Sequence, residues 1–495
     1  MAFQEKLTAE LREQLPGFAG LLDAKRLSKG VSKEMWDLKL SMRGSGSAAG
    51  VSKELRACLR RNPSAAAVHS LPLEVEAELC RLARAAGVPC PAILCEMSPK
   101  SRIGAAFLME WIDGETLGHK ILKDSRFSSA REGLARECGR ALGKIHKIQL
   151  PRDGPAHRNL STNTADSSLR RYWEMLRKSE AYCKFSRPAL HFVFRWLQDR
   201  APAIQGAPCL CHGDFRLGNL GVQEKGLAAV LDWELAEFGD PHMDLGWMLT
   251  MAWRYGQADN PVGGFGKLED FIAGYQEEGH TVDEAHLKWW EIFSNVKWSV
   301  ICLNQGVSFR MASANPENGT VGRRASEGEL DALALILGPQ PDHVFTGLAW
   351  KENNEAVHAL HDGAGPTEGT AMMKAGQGLL EQMMAALPKG SHAEYLGRVC
   401  RNLLSITSRE LQYGHWAAEI EIEELRALLG EEAGSNLLDL RTELSKRLQT
   451  TTFAETSIPE LQRYLSRAVV RQLLFDNPKY FGLGQICSPT ARPRL

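Results

Sequence analysis

The segment His212-Gly213-Asp214-Phe215-Arg216-Leu217-Gly218-Asn219, with the apolar run ending Leu231-Asp232-Trp233-Glu234 just after it, constrains this chain more than anything else in it. It sets a carboxylate, an amide and a second carboxylate at spacings that short strands and a tight loop can gather into one cleft. Phosphoryl transfer to a hydroxyl needs such a set: one carboxylate to orient the alcohol and accept its proton, and other oxygens to hold magnesium on the phosphates. Asp214 suits the first role, and Asn219 and Asp232 suit the second. Arg216, two residues past the base, is placed to stabilise charge on the transferring phosphate. The plainer reading makes Asp214 and Asp232 ordinary surface carboxylates, but it leaves the joint spacing unexplained.

At 495 residues the chain is too long for one ordinary core, so at least two folding units are expected. Residues 1–20 read as an amphipathic helix, followed by a strand–turn–strand region broken by the run Arg43 to Gly50. Residues 73–86 have helical periodicity and stop at Gly87, with Pro89 and Pro91 beyond. Ala105 to Ile112 reads as a buried strand punctuated by Asp113-Gly114, and the pattern is then mostly helical to residue 200. Residues 284–310 read as one long helix carrying Trp289, Trp290, Phe293, Val296 and Val300. Strands first and helices later, sharing a cleft, is an α+β bilobal arrangement. The polar stretch from Lys351 to Thr370 reads as a linker, and beyond it Leu396, Val399, Leu403 and Ile406, then Leu461, Leu465, Ala468 and Val469, recur at helical spacing.

A net charge of -1 gives no global case for nucleic acid, and no apolar run approaches the roughly 20 residues of a membrane span. Eleven cysteines without framework spacing point to reduced thiols in a cytoplasm. Cys209 and Cys211, just before His212, suggest a metal site only weakly, because no second ligand pair lies nearby in sequence and alternate strand residues are often buried.

The catalytic-loop and metal-strand residues resemble those of the aminoglycoside-phosphotransferase/choline-kinase superfamily, which has a protein-kinase-like fold. The resemblance implies an ATP- and Mg2+-dependent enzyme with an N-lobe and hinge over 1–112 and a C-lobe over 113–350. That C-lobe holds the catalytic loop 212–219 and the metal strand 227–234. A linker over 351–370, a helical domain over 371–485 and a tail over 486–495 complete the expected layout. The resemblance implies further roles. Gly30 and Ser32 sit where a phosphate-covering loop belongs, and Arg60 where the phosphate-pairing cation belongs. Glu76 matches the carboxylate that pairs with that cation, with Glu74 and Glu78 as competitors. Backbone groups of Glu110 and Ile112 would hold adenine. His212 would brace the loop rather than act as base, and Asp244 would cap or brace it. The sequence departs from the pattern in a glycine-poor phosphate loop and in the GSGSAAG insertion.

Within the superfamily the resemblance is nearest to kinases of 4-hydroxyacyl-CoA thioesters, including domains fused to acyl-CoA dehydrogenases. It rests on Leu59 to Pro63, Gly87 to Pro91, Met109-Glu110-Trp111, 212–246 and Glu291 to Gln305, and covers most of residues 20–315. Lys297 and Arg310 would then be candidates for the CoA phosphates, against a plainer reading as solvent-facing helix charges. Residues 371–485 resemble a helical domain of unknown function encoded beside such kinases, expected to dock on the kinase or to mediate dimerisation. The alternatives are a kinase of a polar metabolite or antibiotic, such as an aminoglycoside, choline, homoserine or a sugar, and a pseudokinase scaffold. A positively charged substrate would call for acidic residues such as Glu277, Glu278 and Asp283, which read as a helix end and turn.

Overall fold

A computed structural model of the protein describes residues 3–27, 33–43, 52–62, 70–203, 207–313, 315–346, 348, 368–389, 391–450 and 458–487. The linker expected at 351–370 falls outside them except for its last three residues, and the expected tail falls outside them beyond Cys487.

Five antiparallel strands form the first sheet: β1 (Phe18–Leu27), β2 (Glu34–Arg43), β3 (Ser52–Arg61), β4 (Ile93–Met97) and β5 (Ala106–Glu110), in the order β1-β2-β3-β5-β4. Period-two alternation gives this sheet two different faces. Leu38, Leu40, Ala57, Leu59 and Leu108 pack with Leu7 and Leu11 of the helix Phe3–Gln14. Cys58, Phe107 and Met109 turn the other way, onto Leu73 and Ala77 of the helix Leu73–Ala85. Arg60 shares the parity of Cys58, so its side chain is sent toward that helix. The helix ends as its sequence suggests, with Ala86 N donating to Leu82 O at 2.9 Å and Gly87 at φ 78°.

Two small ladders come next. β6 (Cys209–Cys211) pairs with β9 (Glu237–Gly239), and β7 (Leu220–Gln223) pairs with β8 (Gly226–Val230). The strand expected over 227–234 therefore stops early. Leu231 N donates to Asn219 O at 2.9 Å, and Asp232 turns to φ 67°. Beneath these ladders, the helices Ser128–Ile145 and Leu268–Glu277 supply Leu134, Leu142, Phe271 and Tyr275 to a core that also takes Leu210, Phe215 and Val230.

The chain divides by packing into two compact units. The first comprises 1–164, 204–249 and 253–287; the second comprises 165–203, 250–252 and 288–495. Segments 165–203 and 288–350, placed by sequence with the catalytic loop, thus pack with the C-terminal helices.

The second unit is helical. The expected long helix runs Glu284–Ser308 and buries Trp289, Trp290, Phe293, Val296 and Val300. It continues into one wide π-helical turn over Phe309–Ser313. The C-terminal part adds helices Glu368–Ala385, His392–Leu429, Leu437–Thr450 and Pro459–Asp476. Its ties to the earlier helices are specific. Ser186 and Ser445 share a hydroxyl hydrogen bond of 2.8 Å, Gln449 meets His191 at 3.0 Å, Arg323 reaches Asp476 at 2.5 Å and Tyr480 donates to Asp331 at 2.6 Å. Glu421, 2% exposed, is gripped by Arg441 at 2.7 Å on both oxygens, by Arg471 at 3.1 Å and by Tyr464 at 3.0 Å. Burial would raise its carboxyl, but these partners bring it down to about 2. Among the described residues no helix is long and apolar enough to cross a membrane.

Candidate active site

The loop after β6 is built around one buried carboxylate. Asp244, fully buried near the start of the helix His242–Leu249, accepts from His212 N at 2.6 Å and Gly213 N at 2.9 Å, and meets His146 Nε2 at 3.3 Å. Burial opposes its charge, but His146 and the hydrogen bonds prevail and hold its carboxyl below the usual range. Gly213 sits at φ 78°, where a Cβ would lie 2.0 Å from Leu235 O, so only glycine fits the bend.

His212 is fully buried. Its Nε2 donates to Leu231 O at 3.1 Å, leaving Nδ1 to accept from Asp214 N at 3.3 Å. Burial pushes its imidazole below the ordinary value, so it stands as a neutral strut with both nitrogens on backbone.

The strut and the bend present Asp214 to the cleft. Its Oδ1 accepts from Trp247 Nε1 at 2.7 Å and Arg216 Nε at 3.0 Å, and its Oδ2 from Asn219 Nδ2 at 2.6 Å. Asn219 also donates to Asp214 O at 3.0 Å, which turns its amide oxygen the other way. Arg216 lies 4.7 Å over the Trp253 ring, so a cation–π contact holds the guanidinium against the carboxylate. Asp232 follows Leu231, which is hydrogen-bonded to Asn219, so Asp214, Asn219 and Asp232 converge. Asp232 takes a left-handed backbone, a conformation aspartate adopts more readily than most residues with a Cβ, and this bend follows the end of the strand.

Across the cleft the first sheet contributes cations. Arg60 meets Glu76 at 2.9 Å, Asp232 at 2.5 Å and Glu234 at 3.3 Å. Of the three glutamates on its helix, Glu76 is the one that reaches Arg60, whereas Glu78 accepts from Ala156 N at 2.5 Å. Lys33 joins the same cluster: it pairs with Glu76 and lies 3.5 Å from Glu234. Sequence reasoning missed Lys33, Trp247 and Trp253. A lone lysine beside a polar loop carries no local signal, and tryptophans in an apolar segment read as core. Gly30 and Ser32 lie outside the described residues. At the end of β5, Glu110 N donates to Ala92 O at 2.8 Å, and Ile112 O accepts from Gly114 N at 3.0 Å.

Burial pushes the Lys33 ammonium down to about 8, with Arg60 adding to the effect and Glu234 and Asp232 opposing it. A cation loses its charge as pH rises through its pKa. Here kcat/KM for the phosphate donor should fall above about pH 8, approaching tenfold per pH unit. Lys33→Arg, whose guanidinium does not titrate in this range, should move that limb upward. An unchanged profile in Lys33→Arg would assign the limb to another group.

Other residues singled out from the sequence have structural partners. Glu277 pairs with Arg136 and Arg140, Glu278 with Lys147, and Asp283 accepts from His286 N at 2.9 Å. Lys297 is 8% exposed, so the solvent-facing reading does not hold for it; Arg310 is exposed. Cys209 and Cys211 lie on one face of β6, Sγ atoms 3.9 Å apart, next to His146. His146 Nδ1 meets Tyr275 Oη at 2.8 Å, so both its ring nitrogens are engaged.

The oxygen set at the site fits a hard divalent cation: Asp232 offers a carboxylate and Asn219 an amide oxygen, with no sulfur or imidazole among them.

The chain is similar to several known proteins. A mouse protein, acyl-CoA dehydrogenase family member 10, is 31% identical over 195 residues, covering 38% of this chain and 17% of that protein. Rat acyl-CoA dehydrogenase family member 11 is 26% identical over 253 residues, covering 48% and 30%. The chain thus spans less than a third of the length of these relatives. A solved Ralstonia eutropha structure assigned to the aminoglycoside phosphotransferases superposes with TM-score 0.51 at 22% identity, covering 66% of this chain and 95% of that one. Its likeness establishes the kinase-like α+β fold. Residues 388–480 match a domain of unknown function, DUF6285. Residues 23–279, more than half of the sequence, match the phosphotransferase enzyme family, and with Asp214, Asn219 and Asp232 gathered in one cleft the chain belongs to that family as a small-molecule kinase.

Proposed function

We propose that the protein transfers the γ-phosphoryl group of ATP to the hydroxyl of a hydroxyacyl-CoA thioester. The observation that carries the reading is the convergence of Asp214, Asn219 and Asp232 opposite the cluster of Lys33, Arg60 and Glu76. The substrate hydroxyl approaches Asp214, whose carboxylate takes the proton as the oxygen bonds to phosphorus. The bond to the β–γ bridging oxygen breaks and ADP leaves. Asn219 and Trp247 hold the carboxylate in line, which lowers the cost of orienting it. Arg216, already beside Asp214, lies where it can balance charge on the transferring group. Asp232 and Asn219 would hold Mg2+, which supplies charge neutralisation on the phosphates. Lys33 and Arg60, steadied by Glu76, are the phosphate-binding cations.

The acceptor is the finer part of the proposal. It is supported by partial similarity to two acyl-CoA dehydrogenase family members, and Glu277, Glu278 and Asp283 are each paired with a neighbouring group of the chain. Phosphorylation has a chemical rationale there, since phosphate leaves readily in a later elimination whereas hydroxide does not. The test is ATP consumption with 4-hydroxyacyl-CoAs, the matching free hydroxy acids and aminoglycosides, with Asp214→Ala as the background. Turnover is expected with the thioesters at least about a hundredfold above the free acids in kcat/KM, the scale of uniform binding lost with a large recognition group. Turnover with aminoglycosides alone would discard the CoA acceptor and keep the kinase.

A further inference from the structure

The second unit encloses a cavity of about 340 Å3 that the phosphoryl-transfer chemistry does not use. Its wall is made partly by the helix Pro188–Asp199, the segment before it and the helices around 303–323. The rest comes from the C-terminal helices His392–Leu429 and Pro459–Asp476. We propose that this cavity is a binding site for a medium-chain carboxylate, an unbranched apolar chain with one terminal anion.

The wall is apolar over much of its extent, through Phe185, Leu303, Phe309, Leu403, Ile406 and Val469. Its volume lies at the small end of the roughly 300–1,000 Å3 typical of small-ligand sites, which suits a chain of medium length. Four arginines reach this lining, and three are already neutralised. Arg187 pairs with Glu329 at 2.5 Å, Arg323 with Asp476 and Glu410, and Arg441 with Glu421 at 2.7 Å. Arg310 differs. It is exposed, its guanidinium meets the Cys183 carbonyl at 3.4 Å, and among the described residues it makes no ion pair. One uncompensated cation at the edge of an apolar space sets the ligand's chemistry: an anionic head at Arg310 and a chain directed inward.

The local backbone is shaped for that placement. Phe309 and Arg310 begin the π-helical turn, which adds a residue to the helical circuit and re-aims the side chains beyond it, a device common at functional sites. The Phe309 ring lies against Gly319, where a Cβ would sit 3.4 Å from three ring carbons, so glycine lets the ring lie close on that wall.

Binding of sodium octanoate to the full chain by isothermal titration calorimetry tests this directly. One site per chain is expected, and Arg310→Gln should weaken binding at least about tenfold, the loss expected for a charge-assisted hydrogen bond. Octanol should bind wild type and Arg310→Gln alike. Leu403→Trp, checked for an unchanged melting temperature, should reduce binding by filling the space. Asp214→Ala should bind octanoate as wild type does, so a failed kinase assignment and a failed cavity assignment remain distinguishable. Absence of octanoate binding, equal binding by Arg310→Gln, or binding of octanoyl-CoA without octanoate would each overturn the proposal.

Discussion

Asp214→Ala is expected to lower kcat by at least about a hundredfold, the scale of losing a positioned base, with the fold intact. The carboxylate is partly exposed at the cleft and is held by side chains that have other support: Trp247 packs against Trp253, and Asn219 still donates to the Asp214 carbonyl. Its removal therefore empties the site of a proton acceptor without dismantling the loop. Single-turnover kinetics would separate the chemical step from product release, and circular dichroism would check the fold. His212 cannot substitute, because Nε2 donates to Leu231 O and Nδ1 accepts from Asp214 N. A loss of only a few-fold would mean that another group, or water, receives the proton.

Asp244→Ala is expected to damage both stability and turnover. The substitution removes the acceptor of two backbone N–H groups and of His146, all buried. Breaking a buried charge pair from one side costs about 3–5 kcal/mol. Unfolding of a chain with two compact units need not be two-state, so the measurement is the shift of the transition that carries the loss of ATP binding. With the amides of His212 and Gly213 released, Asp214 loses its register, and a displacement near 1 Å is enough to cost about a hundredfold in kcat. A variant that keeps its melting temperature but loses turnover would instead place Asp244 in contact with substrate.

The grouping of the candidate site was legible because its members are close together in sequence. Asp214 and Asn219 lie on one loop, and Asp232 comes after a single short ladder, so spacing alone implied convergence. Glu76 was separable from Glu74 and Glu78 only through its partner: strand parity sends Arg60 to the same side as Cys58, where Glu76 is 1% exposed. Lys33 could not be read, since its partner Glu76 is distant in the chain and nothing local marks it. Trp247 was hidden by its company. In the segment His242–Leu249 every residue is buried, and only the position of the indole nitrogen shows that it holds a carboxylate. The packing of 165–203 and 288–350 with the C-terminal helices was equally invisible, because amphipathic periodicity shows that a helix has an apolar face and not which neighbour covers it.

The ties of Ser186 to Ser445, His191 to Gln449, Arg323 to Asp476 and Asp331 to Tyr480 join early helices to late ones in a shared interior. Trimming the gene after residue 350 would therefore not yield a smaller working enzyme. It would strip the Pro188–Asp199 helix of its cover and leave Arg323 without its buried counter-ion, inviting precipitation.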